Sequence, residues 1–288
     1  MLVGPTASGK SALAVEVARR TGGEILAVDS MAVYRGMDIG TATPSASERA
    51  GIAHHLIDLV DPGDPFTLVD YQAAFDAAMA DLGRRGVTPV IAGGTGLYLR
   101  AAVDRLTPPP RYPEVEADLD AEADTEALHR RLVELDPVAA GRMEPTNRRR
   151  VLRALSVTIG GGTPFSEYGP GLDVYPEVPY RMVGIEIERH EMDERIDDRY
   201  RRQMADGFLD EVRALADRPL SHTAAQALGY KELLAHLRGE ATLDDALERA
   251  RSRTRRFARR QQRWFRRDPR IEWLPFGPID TMADRLVS

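Results

Sequence analysis

Cysteine is absent from all 288 residues, which removes disulfides, thiolate zinc sites and cysteine nucleophiles from consideration. The six histidines do not take their place, because they lack metal-ligand spacing; His54 and His55 are adjacent and diverge on either a strand or a helix. No apolar run approaches the roughly 18 to 20 residues a membrane helix needs. The first residues already belong to a phosphate-loop pattern, so no signal peptide is expected and the protein reads as soluble and cytoplasmic. Lysine is nearly missing too: Lys10 and Lys231 are the only two among 39 basic residues. Acids disappear locally. From Arg249 to Arg270 eleven arginines stand with a single acid, Asp268, a charge of +10 inside a chain of net charge −6. A basic face on an acidic protein points to a polyanionic partner. Internal repeats and low-complexity tracts are also lacking.

What is present suffices for a sizeable core, since 43% of the residues are apolar. Leu2 and Val3 read as the end of a short strand. "GPTASGKS" follows, that is Gly4, Pro5, Thr6, Ala7, Ser8, Gly9, Lys10 and Ser11, and "SALAVEVARR" continues as a helix. In Gly-x-x-x-x-Gly-Lys-Ser the glycines let backbone N–H groups close around phosphate oxygens at a helix N-terminus. Lys10 supplies a point charge and Ser11 is placed to ligate Mg²⁺. The alternative is a glycine turn with no ligand. The motif does not specify a nucleotide; any diphosphate or triphosphate satisfies it.

Further strands are expected at 24–28 ("EILAV") and 88–94 ("TPVIAGG"), with a helix between them capped by Thr67 and ended by Gly86. Alternating strands and helices predict an α/β, P-loop NTPase-like fold, a parallel sheet covered by helices on both faces. At Thr107 the pattern changes to "TPPPRYP" and charged helical sequence. A small helical insertion domain is therefore expected over 108–179, within a core of 1–107 and 180–288. "YRMVGIEI" (180–187) returns to the sheet, and Ile196, Tyr200, Met204, Phe208, Val212 and Leu215 predict one long helix after it.

Asp29 and Ser30 fall at the carboxyl end of the second strand, the edge where open α/β sheets bind ligands. A carboxylate there can ligate magnesium, accept a proton from a nucleophile, or merely cap a turn. Asp58 and Asp61 are weaker candidates, and turn-forming Asp-Pro explains Asp61. Parts for nucleotide hydrolysis are missing: "IAGGTG" carries no carboxylate for a second magnesium contact, and no Asn-Lys-x-Asp motif occurs. In the carboxyl-terminal helix Leu247, Ala250, Thr254, Phe257, Gln261 and Trp264 share one stripe and arginines fill the rest. A solvated face is the plain alternative, but one-signed charge fits a nucleic-acid backbone better. "NRRRVLR" (147–153) is a second basic cluster, in the insertion.

"GPTASGKS", "VDSMAVYRGMDIGTA", "AGGTGLYLRA", "NRRRVLRAL", "QALGYKE" and "RRFARRQQRWFR" occur in this order along nearly the whole chain. Together they resemble the tRNA dimethylallyltransferases, also called tRNA isopentenyltransferases. The resemblance implies that the phosphate loop, with Mg²⁺ on Ser11, holds the diphosphate of dimethylallyl diphosphate as a leaving group. The acceptor would be the N6 amine of an adenosine beside the tRNA anticodon. Asp29 would be the general base, and Thr6 would donate toward the bridging oxygen of the diphosphate.

The same resemblance assigns tRNA contacts to Asp29, Ser30, Met31, Ala32 and Val33, to Arg149, Arg150 and Arg153, and to Gln226, Gly229, Tyr230 and Lys231. It adds Arg259, Arg260, Gln261, Arg263, Trp264 and Arg266, with Thr95 near the adenosine. The target base must leave the anticodon-loop stack to be reached. Ala32 stands where many relatives have glutamine, and Thr43 where many have lysine. No feature demands a dimer. The rival readings are a phosphate-loop kinase of a small metabolite, which the +10 segment opposes, and an RNA-binding module, which gives Asp29 and Thr6 no task.

Overall fold

Leu2–Val3 forms strand β1 and leads through the glycine loop into helix α1 (Lys10–Thr21); β2 (Glu24–Val28), α2 (Ala46–Arg49), β3 (His54–His55), α3 (Leu68–Arg85), β4 (Pro89–Gly93) and α4 (Gly96–Val103) follow. The chain then builds α5 (Pro113–Asp120), α6 (Thr125–Leu135), α7 (Pro137–Ala140), α8 (Arg148–Gly161) and a 3₁₀ turn at Phe165–Glu167. It returns with β5 (Met182–Glu186), α9 (Arg189–Ala205), α10 (Phe208–Ala216), α11 (His222–Ala225), α12 (Tyr230–Leu237), α13 (Leu243–Phe265), β6 (Ile271–Pro275) and α14 (Ile279–Val287). This computed structural model describes residues 1–169 and 171–287. Two compact units result: Met1–Asp104 with Glu177–Ser288, and Arg105–Pro176. Among the described residues no helix is long and apolar enough to cross a membrane.

The first unit is built on a six-stranded sheet in the order β3-β2-β4-β1-β5-β6, with every pairing parallel. Its inner strands are largely apolar on both faces because both faces are covered. Val3, Leu26 and Ile91 join one core with Tyr71, Phe75 and Leu99. Their neighbours Leu2, Ile25 and Val90 join the opposite core with Leu13 and Met282. Adjacent residues thus serve opposite layers, as the period of two requires.

The expected caps of α3 form: the Thr67 side chain accepts from the Asp70 N–H in a capping box, and Gly86 ends the helix at φ 65°. The long helix expected through Leu215 does not. It breaks after Ala205, where Gly207 takes the left-handed region at φ 95°, so Phe208, Val212 and Leu215 belong to α10. The stripe of α13 is also rotated. Ala246, Ala250, Thr254, Ala258, Gln261 and Phe265 are its buried residues, the first four small enough to let the helix lie close, while Leu247 and Trp264 are only partly buried against the same core. Neither β6, too short and mixed to stand out, nor α14 was expected.

In the second unit Leu119, Leu128, Leu132, Val151, Ala154 and Leu155 form a separate core. Arg148 binds the Asp120 carboxylate at 2.8 Å, and the Asn147 side chain caps α8 by accepting from the Arg150 N–H.

Candidate active site

The phosphate loop is held open by backbone geometry. Ala7 and Gly9 both have positive φ, 64° and 81°, and no side chain caps α1, so the protein leaves the first amides of that helix to an anion. Lys10 Nζ reaches the Pro5 carbonyl at 3.2 Å. Burial lowers its pKa to about 8, with the Asp29 charge pulling it back up and Arg199 pushing it down. Ser11, at the second position of α1, is exposed. The Ser8 hydroxyl is fully buried and has no partner among the described residues; Gly4 and Pro5 are buried as well, and Pro5, which has no N–H, uses its carbonyl to accept from the Ser8 N–H at 3.3 Å and from Lys10.

Asp29 follows β2 at the carboxyl edge. Its Oδ1 accepts from the N–H groups of Met31 (2.8 Å) and Ala32 (3.4 Å), while Oδ2 has no partner among the described residues. This arrangement fixes the carboxylate and leaves one oxygen to accept a proton. Thr95 Oγ1 accepts from the Ser30 N–H at 3.2 Å, and Thr95 begins α4 as its N-cap. Tyr98, one turn into α4, is pushed up to about 12, by burial first and then by Tyr34 and Asp29. Its hydroxyl therefore stays protonated beside the carboxylate.

Sequence reading missed the residues that hold these parts from a distance. Arg199 of α9 donates to Thr6 Oγ1 at 2.7 Å and to the Gly40 carbonyl at 3.2 Å. Arg195, one turn earlier, donates to the Ala7 carbonyl at 2.7 Å and lies over the Phe276 ring at 4.8 Å. Glu211 of α10 accepts three consecutive N–H groups, from Asp38, Ile39 and Gly40, at 2.8 to 3.1 Å. It also accepts the Tyr230 hydroxyl at 2.5 Å. The invisible signal was one of register: Arg195, Arg199 and Gln203 share one face of α9 at i, i+4, i+8.

Several residues expected to contact tRNA are turned inward. Ala32 and Val33 are buried at 6% and 0% exposure, Tyr230 at 1% and Gln261 at 7%, and Gly229 is buried with them. Tyr230 is committed to Glu211. Gln261 is committed to the phosphate loop, accepting from the Thr6 N–H at 2.8 Å and donating to the Gly94 carbonyl at 2.8 Å. Arg153 directs its guanidinium at the carbonyls of Pro110 (3.1 Å) and Pro109 (2.6 Å) within its own unit. Gln226, Lys231, Arg149, Arg150, Arg260, Arg263 and Arg266 are exposed, and Asp29, Ser30, Met31, Thr95, Arg259 and Trp264 partly so.

The arginines of α13 are also sorted by the fold. Acids from neighbouring elements pair with several of them: Glu232 with Arg253, Asp197 with Arg255 at 2.5 Å and Asp193 with Arg259 at 4.0 Å, while Glu186 pairs with Arg266, just past the helix end, at 3.2 Å. The one-signed face expected from sequence is thus partly neutralised. Arg256, Arg260, Arg263 and Arg267 have no acidic partner among the described residues; the first three share one stripe of α13 at i, i+4, i+7, and Arg267 lies in the turn beyond its end. Burial lowers the Arg260 pKa, and Arg256, Arg253 and Arg263 lower it further, as expected for crowded like charges. A recess of about 540 Å³ beside the stripe is lined by residues of α12 and α13, including Lys231, Arg249 and Arg256, and by none from the phosphate loop.

Comparison with known proteins agrees with this geometry. Residues 32–268 match the family described as IPP transferase, and residues 1–59 match isopentenyl transferase. A tRNA dimethylallyltransferase of Geobacter metallireducens is 44% identical over 99% of this chain and 95% of its own. One of Streptomyces coelicolor is 46% identical over 97% and 90%. Among solved structures, a full-length tRNA isopentenylpyrophosphate transferase from Bacillus halodurans is similar at TM-score 0.73 and 35% identity, over 99% of this chain and 92% of that one. A eukaryotic dimethylallyltransferase described as acting on tRNA has TM-score 0.80 and 26% identity, over 99% and 76%. By sequence along almost its full length and by the fold that sequence adopts, the chain belongs to the IPP transferase family.

Proposed function

We propose that this protein transfers a dimethylallyl group from dimethylallyl diphosphate to the N6 amine of an adenosine beside the anticodon of tRNA, acting in the cytoplasm as a monomer. The observation that carries the reading is a shared edge: β1 opens into the phosphate loop, β2 ends at Asp29, and the two flank β4 in parallel, so both carboxyl ends lie on one side of the sheet. Carboxylate and phosphate loop therefore serve one site. The amine lone pair attacks the allylic carbon, the carbon–oxygen bond breaks, and diphosphate departs with the bonding electrons. Lys10 and the first amides of α1 stabilise that departing charge. The neutral amine is too weak an acid to lose its proton beforehand, so Asp29 Oδ2 takes the proton as the new bond forms. Thr6, held through its hydroxyl by Arg199, is oriented to donate toward the bridging oxygen.

The donor set fits Mg²⁺. No cluster of three His, Cys, Asp or Glu side chains able to hold a metal occurs among the described residues. A hard cation that keeps waters and takes substrate phosphate oxygens needs no such cage, and the exposed Ser11 hydroxyl supplies one further oxygen. Bound there, it would neutralise leaving-group charge.

The unpaired stripe Arg256, Arg260 and Arg263 favours tRNA over a small acceptor, since like charges at i, i+4 and i, i+3 destabilise the free helix and are relieved by a phosphate backbone. Arg149 and Arg150 support the same partner: they crowd the positive end of α8, whose first turn holds no acid. Incubation with radiolabelled dimethylallyl diphosphate and unmodified tRNA, against ATP with a nucleoside panel, tests the proposal. Label in tRNA is expected. Phosphorylated nucleoside without labelled tRNA would replace the reading with a kinase.

A further inference from the structure

Gln261 is an anomaly on the buried face of α13. The other buried residues of that helix are Ala246, Ala250, Thr254, Ala258 and Phe265, and a primary amide placed among them is costly unless both of its ends are hydrogen-bonded. Both are. Oε1 accepts from the Thr6 N–H and Nε2 donates to the Gly94 carbonyl, each at 2.8 Å. A Cβ added at Gly94 would lie 2.5 Å from that Nε2, so the close approach admits no side chain there. Gly94 and Thr95 both donate to the Val28 carbonyl, at 3.2 and 3.3 Å, which precedes Asp29. One side chain therefore spans the donor side of the site, at Thr6, and the acceptor side, at Gly94–Thr95. Its helix carries the arginine stripe, with Arg260 and Arg263 flanking it in sequence.

We infer that Gln261 is a positioning residue that couples occupancy of the arginine-bearing helix by tRNA to the geometry of the phosphate loop. A tRNA backbone seated on Arg256, Arg260 and Arg263 draws on α13. Any shift or stiffening of that helix passes through one amide to the Thr6 main chain and to the Gly94–Thr95 turn. The inference rests on the proposed function, and it assigns Gln261 a task distinct from touching RNA.

The test measures the affinity for inorganic diphosphate with Mg²⁺, with and without saturating unmodified tRNA, in the native chain and in Gln261→Met and Gln261→Glu. In the native protein tRNA is expected to tighten diphosphate binding by about fivefold or more, the lower range of site-to-site coupling. In Gln261→Met the coupling should fall to about twofold or less while the affinity for tRNA alone changes less than about threefold. In Gln261→Glu the coupling should be lost when the carboxyl is ionised and return as the pH falls, because only the protonated form donates to Gly94. Thermal unfolding checks that each variant folds, and the pH-dependent return in a single folded variant keeps the test valid if Gln261→Met does not. Unchanged coupling in Gln261→Met, or native diphosphate affinity indifferent to tRNA, would overturn the inference. A loss of tRNA affinity above about tenfold in Gln261→Met would make Gln261 an RNA ligand and overturn it likewise. Native protein that couples tRNA to diphosphate yet transfers no dimethylallyl group would refute the proposed reaction and leave this inference standing.

Discussion

Lys10 and Asp29 carry opposite charges at one edge, and each has a measurable signature. Lys10 has a free-protein pKa lowered to about 8 by burial, and a diphosphate binds the ammonium form. Below about 8 the charge is already present; above it binding must take up a proton. Affinity for inorganic diphosphate is therefore expected to weaken by up to about tenfold per pH unit above 8, and Lys10→Ala should flatten that dependence, read by calorimetry across pH. Asp29→Asn keeps the Oδ1 acceptor for Met31 and Ala32 but removes the basicity of the free oxygen. Single-turnover transfer should drop by roughly 10² to 10⁴ with substrate affinities nearly unchanged. Substantial rescue by added magnesium would instead make Asp29 a metal ligand. Both residues were legible because a motif or a strand end marks them. Arg199 and Glu211 were not: their partners Thr6 and Gly40 lie 193 and 171 positions away, and nothing local distinguishes them from helix-surface charge.

At the level of elements, α13 was legible as a helix but not as two faces. Beyond Glu248 its sequence shows arginine and no acid, and most of the carboxylates that pair with Arg253, Arg255, Arg259 and Arg266 come from α12, α9 and β5, with Glu248 of α13 itself adding to Arg255 at 3.6 Å. Replacing Arg256, Arg260 and Arg263 with glutamine should flatten the logarithmic salt dependence of tRNA binding by about 2 to 3 units, close to one per phosphate contact. Arg255→Gln, which frees Asp197 from a pair of 2.5 Å, should leave that slope nearly unchanged. A titration of tRNA affinity against salt distinguishes the two. The caps of α3 could be read in advance because Thr67, Asp70 and Gly86 act within one helix. The break at Gly207 could not, because the apolar spacing continues across it while the backbone turns to positive φ.

Across the whole molecule, the exposed arginines proposed to meet tRNA are divided between the units, Arg149 and Arg150 in the second and Arg256, Arg260 and Arg263 in the first. Arg149→Gln with Arg150→Gln is expected to weaken tRNA binding by roughly tenfold or less while inorganic diphosphate affinity stays constant, since surface phosphate contacts contribute modestly and the phosphate loop lies in the other unit. Filter binding and calorimetry read the two quantities, and equal losses in both would place these arginines elsewhere in the work of the enzyme. The sheet order has a different consequence. β1 precedes both of its sheet neighbours, β4 and β5, in the chain, and β5 follows the second unit. As the polypeptide leaves the ribosome, residues 105–176 have all the partners of their own core while the opening strand still lacks a neighbour on one side. The phosphate loop waits longer still, until Arg199 and finally Gln261 emerge to bind Thr6. A loop translated ahead of both partners therefore gains its last side-chain supports only when α13 is made, and its final geometry depends on residues far downstream of it.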